Sequence, residues 1–194
     1  MARDEAGWDY CYNTQGTEGI DVEDAKYLYR RDKAREAGLL WGSYHFAGLE
    51  GSDGVRQADH YIGFVRPRDD EFICFDCEKH GTFENMRLFV ERVRQRLGRY
   101  PAIYGRRLLR TLMHGNGESI VTRGILWYDE YPPPTYNLPR QSLPEGWDDW
   151  TLWQYTDGRS GPQPQVTPGA GRVDRSVFKG SSEALISAWP FARD

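Results

Sequence analysis

Residues 72–78 read Phe-Ile-Cys-Phe-Asp-Cys-Glu, an apolar run that ends in two carboxylates two positions apart. On a β-strand, alternate side chains share a face, so Asp76 and Glu78 project together with Cα atoms about 6.6 Å apart. Carboxylates so placed at the end of a buried strand suit cleavage of a glycosidic bond, which needs one acid and one anionic stabiliser. Mutual repulsion and partial burial raise one pKa, so that one group keeps its proton. The plainer alternative is a solvated strand end before a turn at His80-Gly81. The rest of the chain decides between them.

Upstream and downstream of this run, short apolar strands alternate with helical segments. Strands are predicted over 8–14, 39–46, 72–78, 101–104 and 125–129. Helices are predicted over 24–37, closed by Gly38, and through Val55, Ala58, Ile62 and Val65 at helical spacing. The clearest helix starts at the N-cap Thr82, carries Phe83, Met86, Val90, Val93 and Leu97 on one face, and exits at Gly98. Another covers 106–114. After Tyr131 the composition changes: Pro132–134, Pro139 and Pro144 rule out regular helix. A strand over 150–155, a Gly/Pro-rich stretch over 157–171 and a short final strand around Val173 complete the chain. Repeated β–α units imply a parallel sheet with right-handed crossovers, either an α/β barrel or an open doubly wound sheet. No G-x-G-x-x-G or phosphate loop opens a helix, which weakens the nucleotide-binding version. Barrel enzymes carry their chemistry at the C-terminal ends of strands, where Asp76 and Glu78 stand.

At 194 residues, the chain is long enough for one domain with a sizeable core, and residues 1–194 are read as one catalytic domain. A formal net charge of -4 gives no general reason to bind nucleic acid. No apolar stretch approaches the roughly 20 residues needed to span a bilayer, and no membrane partner is expected. The first seven residues, Met-Ala-Arg-Asp-Glu-Ala-Gly, lack the apolar centre of a secretory signal. Aromatic residues make up 14% of the chain, with seven Trp and twelve Tyr, and those near Gly and Pro can stack on sugar rings. Three cysteines are an odd count, so a complete intramolecular disulfide set is excluded. In Cys74-x-x-Cys77 strand parity sends the two thiols to opposite faces, and no second C-x-x-C or His pair completes a zinc site. Neither a metal nor another cofactor is expected.

In order and spacing, the motifs resemble glycoside hydrolase family 25, the muramidase-type lysozymes, from about Trp8 to Phe178. Thr17-Glu18-Gly19 with Asp24, Tyr27, Ala34 and Ala37-Gly38-Leu39 has the spacing of that family's second β–α unit. Gly42-Ser43-Tyr44-His45-Phe46 is similar to its G-x-Y-H-F strand, and Asp76-Cys77-Glu78 to its D-x-E. Pro101-Ala102-Ile103-Tyr104 and Leu126-Trp127 to Tyr131 match later strands. Trp153-Gln154-Tyr155-Thr156 and Val173-Asp174 with Phe178 match the closing elements.

The resemblance implies an irregular TIM-like (β/α)5β3 barrel. It also implies hydrolysis of the β-1,4 bond between N-acetylmuramic acid and N-acetylglucosamine in peptidoglycan glycan strands. Glu78 would be the general acid, Asp76 the stabiliser of the charged intermediate and Asp174 a supporting carboxylate. Spacing alone leaves open a nucleophile role for Asp76, and with it the stereochemical outcome. Tyr44, His45, Tyr104, Trp127, Tyr131, Trp153 and Tyr155 are the candidate sugar contacts; by alternation Trp153 and Tyr155 lie on one face together.

The chain departs from the family at its start. The family's first strand carries a G-x-D-V-S type motif, which Gly19-Ile20-Asp21-Val22 imitates in a loop, so the barrel is expected to be missing or opened at its first strand. Exposed edges there favour a homodimer. Without a signal, the protein is expected to be a phage-type lysin made in the cytoplasm and acting on the cell wall. The alternative is a catalytically impaired glycan-binding or structural relative.

Overall fold

The computed structural model describes residues 11–48, 53–133, 135, 139 and 142–192. Trp8 and the first seven residues, on which part of the sequence reading rests, lie outside the described residues. In chain order the elements are β1 (Cys11–Glu18), β2 (Val22–Glu23), α1 (Tyr27–Glu36), β3 (Leu40–Phe46), α2 (Gly54–Val65), β4 (Phe72–Asp76), α3 (Phe83–Leu97), β5 (Ala102–Gly105), α4 (Arg107–Met113), β6 (Leu126–Asp129), β7 (Leu152–Thr156), β8 (Val166–Thr167), β9 (Gly171–Arg172), β10 (Arg175–Phe178) and α5 (Ser182–Ala188).

Eight strands form one sheet in the order β10-β7-β6-β5-β4-β3-β1-β2, and β8 and β9 form a separate hairpin. The six strands from β1 to β7 in that order, leaving out β2, run parallel; β2 and β10 pair antiparallel at the ends. The sheet is curled, since Gln15 of β1 and Ser176 of β10 line one and the same cavity. Among the described residues no pairing joins β1 to β10, so the curl stays a half-barrel. This is the α/β barrel opened on one side that the sequence implied.

Helix α3 forms where its caps anticipated. Thr82 Oγ1 accepts the Asn85 amide at 3.2 Å to start α3, and Gly98, at φ 72°, ends it with its N–H on Arg94. Asp53 caps α2 by accepting from the Val55 amide at 2.8 Å. Helix α1 is held to the entry of β4 by a buried ion pair, Arg31 Nε to Glu71 Oε1 at 2.8 Å, with Arg35 on the same oxygen at 3.1 Å.

Strand alternation gives the sheet two apolar faces. Ile73, Phe75, Cys77, Ile103, Leu126 and Tyr128 join the helix residues Met86, Phe89 and Val90 in the larger core, outside the curl. Phe72, Cys74, Ala102, Tyr104, Ile125, Trp127 and Leu152 pack inside it. The inner cluster is closed from below by the chain's C-terminal part, where Trp189 and Phe191 lie against Phe72 with ring centroids 5.3 and 5.9 Å away. Helix α5, capped by Ser181 on the Ala184 amide, leads into this plug and was not expected from the sequence. The last strand also differs from expectation: it spans Arg175–Phe178, and Val173 and Asp174 precede it.

Candidate active site

Strand β4 delivers the carboxylates, and one glycine of β5 fixes how its end leaves the sheet. Gly105 has φ 144°, and a Cβ there would lie 2.7 Å from the Cys77 carbonyl oxygen. Only glycine both adopts that backbone and lets the chain after Asp76 pass so close. Cys77 N–H still bonds the Tyr104 carbonyl at 2.9 Å, so the pairing of β4 with β5 continues one residue beyond β4. The regular strand stops at Asp76, and Glu78 stands just past it at the rim.

Asp76, Glu78 and Asp174 line a single cavity of about 590 Å³ at the C-terminal end of the parallel strands. Asp76 is buried, 5% exposed, while Glu78 and Asp174 are exposed at its mouth. Burial, then repulsion from Glu78 and Asp129, raises the Asp76 pKa well above the usual carboxylate range. The backbone N–H of Glu78 and the charge of Lys79 work the other way, favouring its anion. Glu78 is also raised: burial acts first and Asp174 adds to it, whereas Lys79, Tyr104 and Arg106 oppose. The Tyr104 hydroxyl donates to Glu78 Oε1 at 3.5 Å. Asp174 is raised by burial and by Asp157.

Of the seven candidate sugar contacts, Tyr44, Tyr104 and Trp127 line the cavity. Trp127 is fixed by its indole N–H on Ser176 Oγ at 3.0 Å and meets Tyr104 edge-on at 4.8 Å. Tyr131 sits beside this group and accepts a 2.6 Å hydrogen bond from Gln154 Nε2.

The other three face elsewhere. His45 is fully buried on the helix side, stacked on Phe89 at 5.0 Å. Its Nδ1 lies 2.8 Å from Thr17 Oγ1 and its Nε2 3.0 Å from Gln57 Oε1, a carbonyl oxygen that only an Nε2–H can satisfy. Burial holds its pKa down, to about 4, so it is a neutral structural residue. Trp153 and Tyr155 do share a face, but the outer one: Trp153 donates to the Glu130 carbonyl and Tyr155 to that of Pro164, both at 2.9 Å. Between them Gln154 faces the cavity instead.

The cysteines are free and buried, with Cys74 in the inner cluster and Cys77 in the outer core, as parity required. Among the described residues no group of His, Cys, Asp and Glu side chains is arranged to hold a metal ion, and no helix is long and apolar enough to cross a membrane.

Sequence reasoning missed Asp129. It ends β6 with its side chain buried, raised to about 6 by burial and by repulsion from Glu78, with Arg106 opposing. The signal was present: alternation from Trp127 puts Asp129 on the cavity face.

Residues 5–163 match the family model of glycosyl hydrolases family 25. The chain is 26% identical to Lysozyme M1 of Streptomyces globisporus over 199 aligned positions, covering 94% of this chain and 64% of that protein. It is 27% identical to the uncharacterized protein YegX of Escherichia coli, over 88% of this chain and 60% of that one. The chain thus spans less than two thirds of the length of these curated relatives. Among solved structures, a muramidase from Trichobolus zukalii superposes with a TM-score of 0.78 at 25% identity, covering 96% of this chain and 90% of that one. A muramidase from Acremonium alcalophilum gives 0.74 at 23% identity, covering 92% and 86%, which speaks for the fold.

The buried charge at Asp76 carries a stability consequence. Its folded pKa lies above the unfolded value, so its contribution is intact below the unfolded pKa near 3.8 and is lost as pH rises. Asp76→Asn, which removes the buried charge, should therefore raise the melting temperature at pH 7. The gain should shrink as pH falls below about 4, where an unperturbed Asp is itself neutral. Thermal unfolding followed across that range checks this; a lower melting temperature at pH 7 would contradict it.

Proposed function

Because the chain belongs to glycosyl hydrolase family 25, we propose that residues 1–194 form a catalytic domain that hydrolyses peptidoglycan of the bacterial cell wall, at the β-1,4 bond between N-acetylmuramic acid and N-acetylglucosamine. The observation that carries this reading is one cavity lined by a buried carboxyl, Asp76, and two rim carboxyls, Glu78 and Asp174, with Tyr44, Tyr104 and Trp127 as aromatic walls. In this reading the Asp76–Glu78 pair keeps one proton between its members, because two adjacent carboxylates in a partly desolvated site resist ionising together.

Glu78 delivers that proton to the glycosidic oxygen as the C–O bond breaks, so the leaving sugar departs as an alcohol. Asp76 then stands as the anion facing the positive charge that develops at the sugar, helped by the Glu78 amide and Lys79; water adds at that carbon, and the proton it releases restores the one lost from the carboxyl pair. Asp174 adds negative charge across the mouth and holds the Glu78 proton more firmly. Tyr44, Tyr104 and Trp127 supply faces for sugar rings, and Tyr131 sets Gln154.

The unpaired interval between β1 and β10 favours a second reading, a glycan binder without turnover, since water entering there weakens the electrostatics on which proton transfer depends. Both readings keep the aromatic walls; only the first needs Glu78 as a donor. Glu78→Gln preserves shape and should lower the clearing rate of a peptidoglycan suspension by about two to four orders of magnitude while folding is retained. Asp76→Asn should be severely impaired as well. A Glu78→Gln protein that clears at the wild-type rate would remove the catalytic assignment.

The two strands that end the sheet beside the opening are proposed to pair between copies, giving a homodimer. Light scattering on the purified protein should then report twice the chain mass; a monomer at all concentrations tested would refute the pairing.

A further inference from the structure

The parallel register stacks the inward-facing side chains of the sheet in layers. Asp76 is level with Tyr104, Tyr104 with Trp127, and Trp127 with Leu152. One layer further, Asp129 is level with Gln154, while Glu78 and Arg106 follow the ends of β4 and β5. The Arg106 charge acts on both carboxyls, Asp129 and Glu78.

Arg106 Nε lies 3.7 Å from Asp129 Oδ2, with both side chains largely buried. That distance is an ion pair rather than a hydrogen bond. Neither Arg106 Nε nor Asp129 Oδ1 has a hydrogen-bond partner among the described residues. At this point of contact Arg106 Nε is thus held to Asp129 by charge and not by a hydrogen bond.

Resting on the reading of Glu78 as proton donor, we propose that Asp129 is a positioning residue for the reaction: it draws Arg106 away from Glu78, so that Glu78 holds its proton until the glycosidic oxygen takes it. Without the Asp129 charge, the Arg106 charge, which already favours the Glu78 anion, is no longer offset, so Glu78 gives up its proton at lower pH. The other charged or titratable groups around Glu78, Arg106 and Asp129 are Asp76 at the end of β4, Lys79 after it, Tyr104 on β5, Glu130 and Tyr131 after β6, and Asp174 before β10. The Arg106–Asp129 ion pair joins the residues after β5 to the end of β6.

The test is the pH profile of kcat/KM for peptidoglycan clearing, whose basic limb reports loss of the donor's proton. Asp129→Asn should move that limb to lower pH by about half to one unit, the effect of one charge near a partly exposed group. Arg106→Gln should move it to higher pH, and the double variant should fall between the two. A merely structural role would lower the rate at every pH without moving the limb. Asp129→Glu, which restores the charge, should return the limb toward wild type. Circular dichroism of each variant establishes folding, and Arg106→Gln alone still decides the matter if Asp129→Asn does not fold. Limbs unmoved, or moved the same way in both single variants, would overturn the proposal while leaving Glu78 as donor. A fully active Glu78→Gln would overturn the underlying reading as well.

Discussion

Every side chain on the curled sheet must face either the helices or the hollow, and strand parity allots them two residues at a time. The rest of the molecule follows from that allotment. On β4 and just after it, parity sends Phe75 and Cys77 into the core beneath α2 and α3, Cys74 into the inner cluster and Asp76 into the cavity. On β5, β6 and β7 it sends Tyr104, Trp127 and Gln154 to the same cavity and Ile103, Tyr128 and Trp153 away from it. A shift of one residue on β4 would turn Asp76 toward the core of Met86, Phe89 and Val90, burying a carboxylate among apolar side chains.

Four carboxyls gather at the cavity and its mouth, Asp76 and Asp129 buried and Glu78 and Asp174 exposed. Asp76, Glu78, Asp129 and Asp174 all have pKa values above their ordinary ones, each with burial as the first cause. Nearby positive charge is sparse and placed to one side: Lys79 beside Asp76 and Glu78, and Arg106 against Asp129. Burial of Asp76 and Asp129 costs stability once they ionise, and in the proposed reaction the raised pKa values keep a proton available for transfer. Sites built for chemistry commonly trade stability in this way. The large outer core, the Arg31–Glu71 pair and the Trp189–Phe191 plug under Phe72 hold the scaffold against that strain.

Much of this was legible in the chain because the signals were local. The caps Thr82 and Gly98 bound α3 as anticipated, and the apolar run into Asp76 and Glu78 marked the central strand. The thiols of Cys74 and Cys77 diverge because the period is two. Alternation could say that Trp153 and Tyr155 share a face, yet not which face, since both sides of β7 are buried and each offers apolar company. His45 looked equally suited to either side for the same reason; its Thr17 and Gln57 partners lie 28 and 12 residues away, a tertiary fact. Asp129 went unnoticed because its acidic neighbour Glu130 is one position away, on the opposite strand face, and not two as in Asp76 and Glu78, although parity with Trp127 already placed it. Strand β10 begins after Asp174, where expectation centred it on Val173, because the β8–β9 hairpin takes up the chain before it.

What the account turns on is a proton retained by the Asp76–Glu78 pair. Carbon-13 labelling of the carboxyl groups and NMR titration of the folded protein reads this directly, with Asp76→Asn and Glu78→Gln assigning the two signals. The pair should titrate in two steps, the upper midpoint lying above the ordinary aspartate and glutamate values of about 3.9 and 4.3. In the Asp76→Asn protein Glu78 should still titrate above its ordinary value, through burial and Asp174. Two independent midpoints at or below those ordinary values would contradict the account.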